Sequence, residues 1–357
     1  MINKSRVPTT TTGKTHLKLI TLYQLHWSHY VEKVRWALDY KGVEWSAVDV
    51  DPFTKREMRH LKCKTTLDSG DQLHTVPTIH DSTTGAVVGE SSEILNYLER
   101  TYPTPALYPA ESTEREEVGR WMLWFDSTLG LAARRLAYTQ IALEYPGVLS
   151  ELFVPHIVGA HGGQTFKGKI AGAIIAGVLA RRFRFLHNRA DRVFEQLEQG
   201  LLIVARRLSS RGYLVGERFT AADLTLAALL RPTLLVPFFR DHAGLQPLFD
   251  WRTKQLQAHR REPQYGYEAQ IHDVRRRRGW ALGAVSWLPT SKPSEQNTSI
   301  EVPTIPVARN DQQPVGRWPV IAGPLWYLRL MLTCGLARTR YCVADPIASS
   351  AYHARGT

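Results

Sequence analysis

Leu17 to Leu25 is a short run of apolar and β-branched residues, the pattern of a buried strand. Tyr30–Tyr40 follows with Val34, Ala37 and Leu38 at helical spacing, and Gly42 supplies the stop. Val43–Val50 alternates as a second strand. Thr75–His80 and Ala86–Gly89 read as two short strands, with Asp81–Gly85 as the turn between them. Ser91–Tyr102 is a helix whose Ile94, Leu95 and Leu98 share one face, with Pro103 just past its end. The predicted order is β-α-β, a loop, then β-β-α. A right-handed β-α-β crossover followed by a hairpin and a helix makes a compact α/β layer.

Pro103–Glu111 reads as a linker, with prolines at 103, 105 and 109. The strand pattern then stops. Arg115–Tyr138, Asp191–Arg211, Ala221–Pro232 and Phe249–Glu262 carry helical periodicity, and Gly147–Gly168 is glycine-rich and less regular. The expected organisation is a leader over 1–18, an α/β domain over 19–104, an all-helical domain over 112–275 and a low-order extension over 276–357.

Charge sharpens these boundaries. The 357 residues carry 45 Lys+Arg against 33 Asp+Glu, a formal net charge of +12. Such a balance raises nucleic acid or an anionic membrane as a partner. The excess lies at the ends, however. Residues 1–18 have four basic residues and no acid, and Arg275 onward has 11 basic and 4 acidic residues. The middle is close to neutral, which argues against nucleic acid as the main partner. A tail role would fall to Arg275–Arg278 with Trp280, Trp287, Trp318, Trp326 and Tyr327. Cys63, Cys334 and Cys342 are too few and too scattered for a disulfide framework or a zinc site, so no metal is expected. The first 18 residues have no apolar core of a secretory signal and only a weak likeness to a transit peptide, and no apolar run is long enough to span a bilayer. The expected location is the cytoplasm.

Three short patterns stand in order: Leu22-Tyr23-Gln24-Leu25-His26-Trp27-Ser28-His29-Tyr30, Thr75-Val76-Pro77-Thr78-Ile79 and Gly89-Glu90-Ser91-Ser92-Glu93-Ile94. Together they resemble the amino-terminal, thioredoxin-like domain of soluble glutathione transferases of the theta-like or serine type. Tyr213-Leu-Val-Gly-Glu-Arg-Phe-Thr-Ala-Ala-Asp223-Leu-Thr resembles the same family's all-helical carboxy-terminal domain. The resemblance covers about residues 19–275.

It implies glutathione as co-substrate, a hydrophobic small-molecule electrophile, a homodimer and a role in detoxification. Ser28 would donate a hydrogen bond to the glutathione thiolate, which is the nucleophile. On the residues alone Ser28 is equally the N-cap of helix 30–41. Tyr23 is a rival, because other classes use an early tyrosine. His26 and His29 flank the site. With Ser28 and Val31 where thiol-transferase relatives carry cysteine chemistry, no redox pair is present. Val76-Pro77 stands where thioredoxin-like folds place a cis proline that frees the Val76 backbone for a peptide-like ligand; a plain turn proline is the alternative. Glu90-Ser91 would hold the γ-glutamyl end at a helix N-terminus, with Ser91 as cap and Glu93 in the first turn. The family's basic residue before Val-Pro is replaced by Thr75, leaving His74, Lys62 or Lys64 for the glycine carboxylate. The connection Thr65–Leu73 is longer than usual for the family.

The resemblance also places Trp121, Trp124, Phe125 and Tyr138 on the helix that lines the electrophile pocket; core packing is the competing reading. Thr220-Ala-Ala-Asp223 fits a capping box with Phe219 and Leu224 as a staple, a structural role whose loss costs about 1–2 kcal/mol. The functions in play are a conjugating enzyme, a glutathione-binding or scaffold protein without turnover, and tail-mediated nucleic-acid or membrane binding.

Overall fold

In a computed structural model the described residues are 19–52, 54–61, 65–66, 72–144 and 190–261. The expected leader 1–18, the extension 276–357, the glycine-rich stretch 147–168, Lys62 and Lys64 lie outside them.

The first domain is a four-stranded sheet in the order β2-β1-β5-β6. β1 (Ile20–Gln24) pairs in parallel with β2 (Trp45–Asp49) and antiparallel with β5 (Thr78–Asp81), which pairs antiparallel with β6 (Val87–Gly89). Helix α1 (His29–Tyr40) makes the crossover between β1 and β2, and α2 (Ser91–Thr101) follows β6. This is the predicted β-α-β, β-β-α order, a thioredoxin-like layer. Gly42 closes the turn after α1 at φ 68°, a conformation open to glycine. The long 65–73 connection contains a two-residue antiparallel pair that periodicity does not show: β3 (Thr65–Thr66) against β4 (Gln72–Leu73).

The second domain is helical throughout its described residues. It comprises α3 (Ser112–Trp124), α4 (Gly130–Glu144), α5 (Ala190–Arg211), α6 (Ala221–Leu229) and α7 (Gln246–His259), with short turns between the last two. The sequence predicts one helix over Arg115–Tyr138. The chain instead widens into a π-helical turn at Phe125–Leu129. Carbonyls of this turn and of the residue after it serve the other domain: Tyr30 Oη donates to the Asp126 carbonyl at 2.7 Å, and His29 Nε2 bonds the Gly130 carbonyl at 2.9 Å. Such inserted turns recur at functional places. A Cβ on Gly130 would lie 2.5 Å from the Tyr30 hydroxyl, so only glycine lets α1 and α4 approach this closely.

One apolar core runs through both domains, from Ile20, Leu22, Val34 and Ile79 to Leu201, Leu224 and Leu229. Helix α1 lies between the sheet and α6 and is buried on nearly all sides. Its charged residues are therefore buried too.

Asp223 is fully buried at the start of α6. Its carboxylate accepts from the Thr220 N–H (2.9 Å), the Thr220 hydroxyl (2.8 Å) and the Leu214 N–H (2.9 Å), while Phe219 and Leu224 close over it in the core. Asp223→Ala strands three donors rather than one. The expected loss is about 2–4 kcal/mol, above a simple cap. Thermal unfolding checks it: a melting temperature equal to the wild type would remove the structural role.

Candidate functional site

The sheet register brings the three sequence patterns to one edge. Tyr23 pairs with Thr78, and Thr78 pairs with Gly89, so these residues form a row across β1, β5 and β6. Just beyond that row stand the loop from Leu25 to Ser28, the Val76-Pro77 step and Glu90-Ser91. Residues more than 60 positions apart in sequence thus share one rim.

Ser28 is half-buried and is the N-cap of α1, its Oγ accepting from the Val31 N–H at 3.4 Å. A hydroxyl has two lone pairs and one hydrogen. The cap uses an acceptor only, which leaves the hydrogen for another partner. The Ser28 N–H closes a turn on the Leu25 carbonyl at 2.9 Å.

The Val76-Pro77 peptide is cis. The Val76 backbone N–H and C=O enter no ladder or turn hydrogen bond among the described residues. Glu90 is exposed and sits at φ 65°, ψ 128°, a backbone region costly for a residue with a Cβ. The expected cap at Ser91 shifts by one residue: Glu90 is the N-cap, makes no side-chain cap bond, and Ser91 is the buried first residue of α2. The first N–H groups of α2 therefore face the rim without a capping side chain, which suits an anion. Thr75 Oγ1 donates to Glu90 Oε1 at 3.3 Å and ties two of the motifs together. His74 is half-buried in the approach to β5.

Behind the rim is a polar cluster that periodicity does not reveal. Lys33 Nζ is fully buried and donates to Ser92 Oγ (2.8 Å) and to both oxygens of Asp126 (2.9 and 2.8 Å). Ser92 Oγ in turn donates to Asp126 (2.7 Å). Burial lowers the Lys33 pKa, and the Asp126 carboxylate opposes that shift. His29 differs from the solvated loop histidine that the sequence suggests. It is buried, and burial followed by the nearby Arg134 charge brings its pKa down to about 3. It is neutral, and since a carbonyl only accepts, Nε2 carries the proton. Tyr23, the rival for Ser28, is buried with Val50, Met58 and Leu61, with Val76 packed against them, and bonds His60 Nε2 at 3.2 Å.

Three residues expected at the electrophile pocket lie on α3 and the turn after it. Trp121 and Phe125 are fully buried and stacked at 5.5 Å, and Trp124 meets Phe125 edge-on at 5.3 Å. These three side chains fill the helical core because apolar burial outweighs their value as a wall. Tyr138, one helix segment later, meets Trp27. It accepts a hydrogen bond from the Trp27 indole, beside Ser28, and lies within the field of Arg134. Arg134 is a site neighbour that the sequence reading missed. No periodic signal separates it from the other polar residues of α4.

Residues 22–106 match the family described as glutathione S-transferase, N-terminal domain, and residues 188–260 match glutathione S-transferase, C-terminal domain. Over these two segments the chain is similar to glutathione S-transferases. Solved structures similar to this chain include a theta class glutathione S-transferase from Xanthomonas axonopodis pv. citri with glutathione bound. It is 22% identical, covers 68% of this chain and 93% of its own, and has a TM-score of 0.39. Another is a glutathione transferase from Phanerochaete chrysosporium, 15% identical, covering 74% and 100%, with a TM-score of 0.48. A third is a beta-etherase from Sphingobium sp., 19% identical, covering 66% and 94%, with a TM-score of 0.47. No curated protein matches the chain by sequence. Among the described residues, no helix is long and apolar enough to cross a membrane, and no group of acidic, histidine or cysteine side chains has the arrangement of a metal site.

Proposed function

We propose that the protein conjugates glutathione to a hydrophobic electrophile, with Ser28 as the donor that stabilises the thiolate. The observation that carries this reading is the meeting of Ser28, Val76-Pro77 and Glu90-Ser91 on one sheet edge. The free backbone of Val76 would pair with the peptide-like part of glutathione as a short strand does. The α2 N-terminus would take the γ-glutamyl carboxylate, and Glu90 would face its ammonium. His74 is our candidate for the glycine carboxylate. The thiol then lies beside Ser28, whose hydrogen is available. Acceleration comes from ionising the thiol and from holding two reactants in one cleft. Trp27 and Tyr138, with Arg134 near them, are our candidates for the border of that cleft.

A second reading is a glutathione-binding protein without turnover. Thr75, which stands where the family carries a base and is bonded to Glu90, favours it. Titration calorimetry with glutathione and a panel of aryl halide, epoxide and thioether substrates separates the two. Binding with conjugation supports the enzyme; binding with no conjugation supports the second reading; no binding ends both. We further propose a cytoplasmic, two-fold homodimer, the family's usual assembly. Leu123 on α3, the exposed large apolar side chain of the described residues, is a candidate for its contact surface. Sedimentation at twice the 40.5 kDa chain mass is the expected result, and a monomer would refute it.

A further inference from the structure

Helix α1 carries Glu32, Arg35 and Asp39, all buried. The Arg35 guanidinium is fully enclosed and has partners on two sides. Toward the rim, Nη1 and Nη2 donate to the His26 carbonyl at 3.2 and 3.3 Å, and Nε and Nη2 donate to Gln24 Oε1 at 3.0 and 2.6 Å. Gln24 Nε2 in turn donates to Asp49 Oδ1 at 2.9 Å. Arg35 therefore grips the end of β1 and the middle of the loop that ends at Ser28. Toward the second domain, Nη1 donates to Glu32 Oε2 at 3.1 Å. Glu32 also accepts from Arg260 Nε and from the Trp36 indole, each at 3.1 Å, and Arg231 Nη1 lies 3.6 Å away. Arg260, the residue that ends α7, also pairs with Asp39.

We infer that Arg35 is a positioning residue for Ser28, and that the helical domain fixes it through Glu32 and Arg260. The inference rests on the reading of Ser28 as the thiolate donor. A catalytic hydroxyl acts only when held within about half an ångström of its productive place. At the end of the Leu25–Ser28 loop the Ser28 N–H bonds the Leu25 carbonyl at 2.9 Å, the Ser28 carbonyl accepts from the Glu32 N–H at 2.9 Å, and the Ser28 hydroxyl makes the long cap bond. The Arg35 fork adds a restraint on the intervening carbonyl, and the fork stays aimed because Glu32 holds its other edge. The grip needs a planar group with several donors in fixed directions, which lysine lacks. The chain of contacts also makes closure of the second domain on α1 a condition for ordering the serine loop.

The test uses the full chain as wild type, Arg35→Lys, Arg260→Lys and Arg207→Lys. Arg207 is a control: a buried arginine of the helical domain that pairs with Glu117, bonds the Leu214 carbonyl and lies over the Trp121 ring. Two readouts are taken. One is ultraviolet titration of the thiolate of bound glutathione. The other is amide hydrogen exchange over residues 25–31 without glutathione. Arg35→Lys is expected to speed exchange over 25–31, to raise the apparent thiol pKa by about one, and to cut kcat/KM near neutral pH about tenfold at little change in glutathione KM. Arg260→Lys moves both readouts in the same direction by less, and it serves alone if Arg35→Lys does not fold. Arg207→Lys lowers the melting temperature and moves neither. Faster exchange in Arg35→Lys, with a wild type that never ionises glutathione, sinks the catalytic reading of Ser28 and leaves the positioning role standing. Unchanged exchange and thiol pKa in both α1-network variants overturn the inference.

Discussion

Replacing Ser28 with alanine is expected to lower kcat/KM for conjugation by roughly 10²–10³, the usual cost of losing one donor aimed at a reacting anion. The apparent pKa of the bound thiol should rise toward the value of a free thiol, about 8.5, while glutathione affinity changes little. The variant loses a second thing, because Ser28 also caps α1. Removing that cap costs about 0.5–2 kcal/mol. Two further substitutions separate the roles. Threonine keeps both hydroxyl donor and cap acceptor, so Ser28→Thr should retain most activity and stability. Aspartate caps equally well but offers no hydrogen and adds a negative charge beside the thiolate, so Ser28→Asp should fold and fail to conjugate. Steady-state kinetics and thermal unfolding on the three variants give the answer. Full activity in Ser28→Ala would reduce this residue to a helix cap and turn attention to the binding-only reading.

Much of the first domain was legible before any coordinates, for reasons particular residues make clear. The strand Leu17–Leu25 and the helix Tyr30–Tyr40 announce themselves because their apolar residues recur at the period of the element they form. The turn at Asp81–Gly85 and the stop at Gly42 follow from residue types that favour those backbone angles. The Ser28 cap is likewise a local pattern. What stayed hidden depends on contacts across the chain. The π-helical turn at Phe125–Leu129 offers the Asp126 carbonyl to Tyr30, and the Gly130 carbonyl just after it meets His29, contacts that nothing within 125–129 encodes. Trp121, Trp124, Phe125 and Tyr138 all fall in the one helix that the sequence predicts, but facing direction, not residue type, decides which enters the core and which meets Trp27. Glu32, Arg35 and Asp39 are not singled out by the sequence, because their role comes from enclosure of α1 by a second domain that supplies Arg231 and Arg260.

The largest stability effect should come from that enclosure. Glu32 is buried with three arginines about it, and burial alone would raise its pKa. The charges of Arg260, Arg231 and Arg35 prevail and bring it down from 4.5 to about 2. Glu32→Gln keeps the size of the side chain and removes the charge. Arg35, Arg231 and Arg260 would then crowd one another with Asp39 as the remaining carboxylate of the network. Breaking a buried pair in this way costs about 3–5 kcal/mol, a large share of the roughly 5–15 kcal/mol that holds a domain together. The pH dependence follows from the direction of the shift. Because the folded-state pKa is depressed, the unfolded chain binds the proton more readily. The stabilisation from Glu32 is fully present above about pH 4.5 and is lost as pH falls through about 2. A displacement of that size is worth roughly 3 kcal/mol, consistent with the cost of the substitution. Urea unfolding of wild type and Glu32→Gln should therefore show midpoints far apart at pH 7 that draw together as the solution is acidified below pH 4.5. Equal midpoints at pH 7 would mean that the arginines find their partners elsewhere, and that the contact between the two domains does not run through this carboxylate.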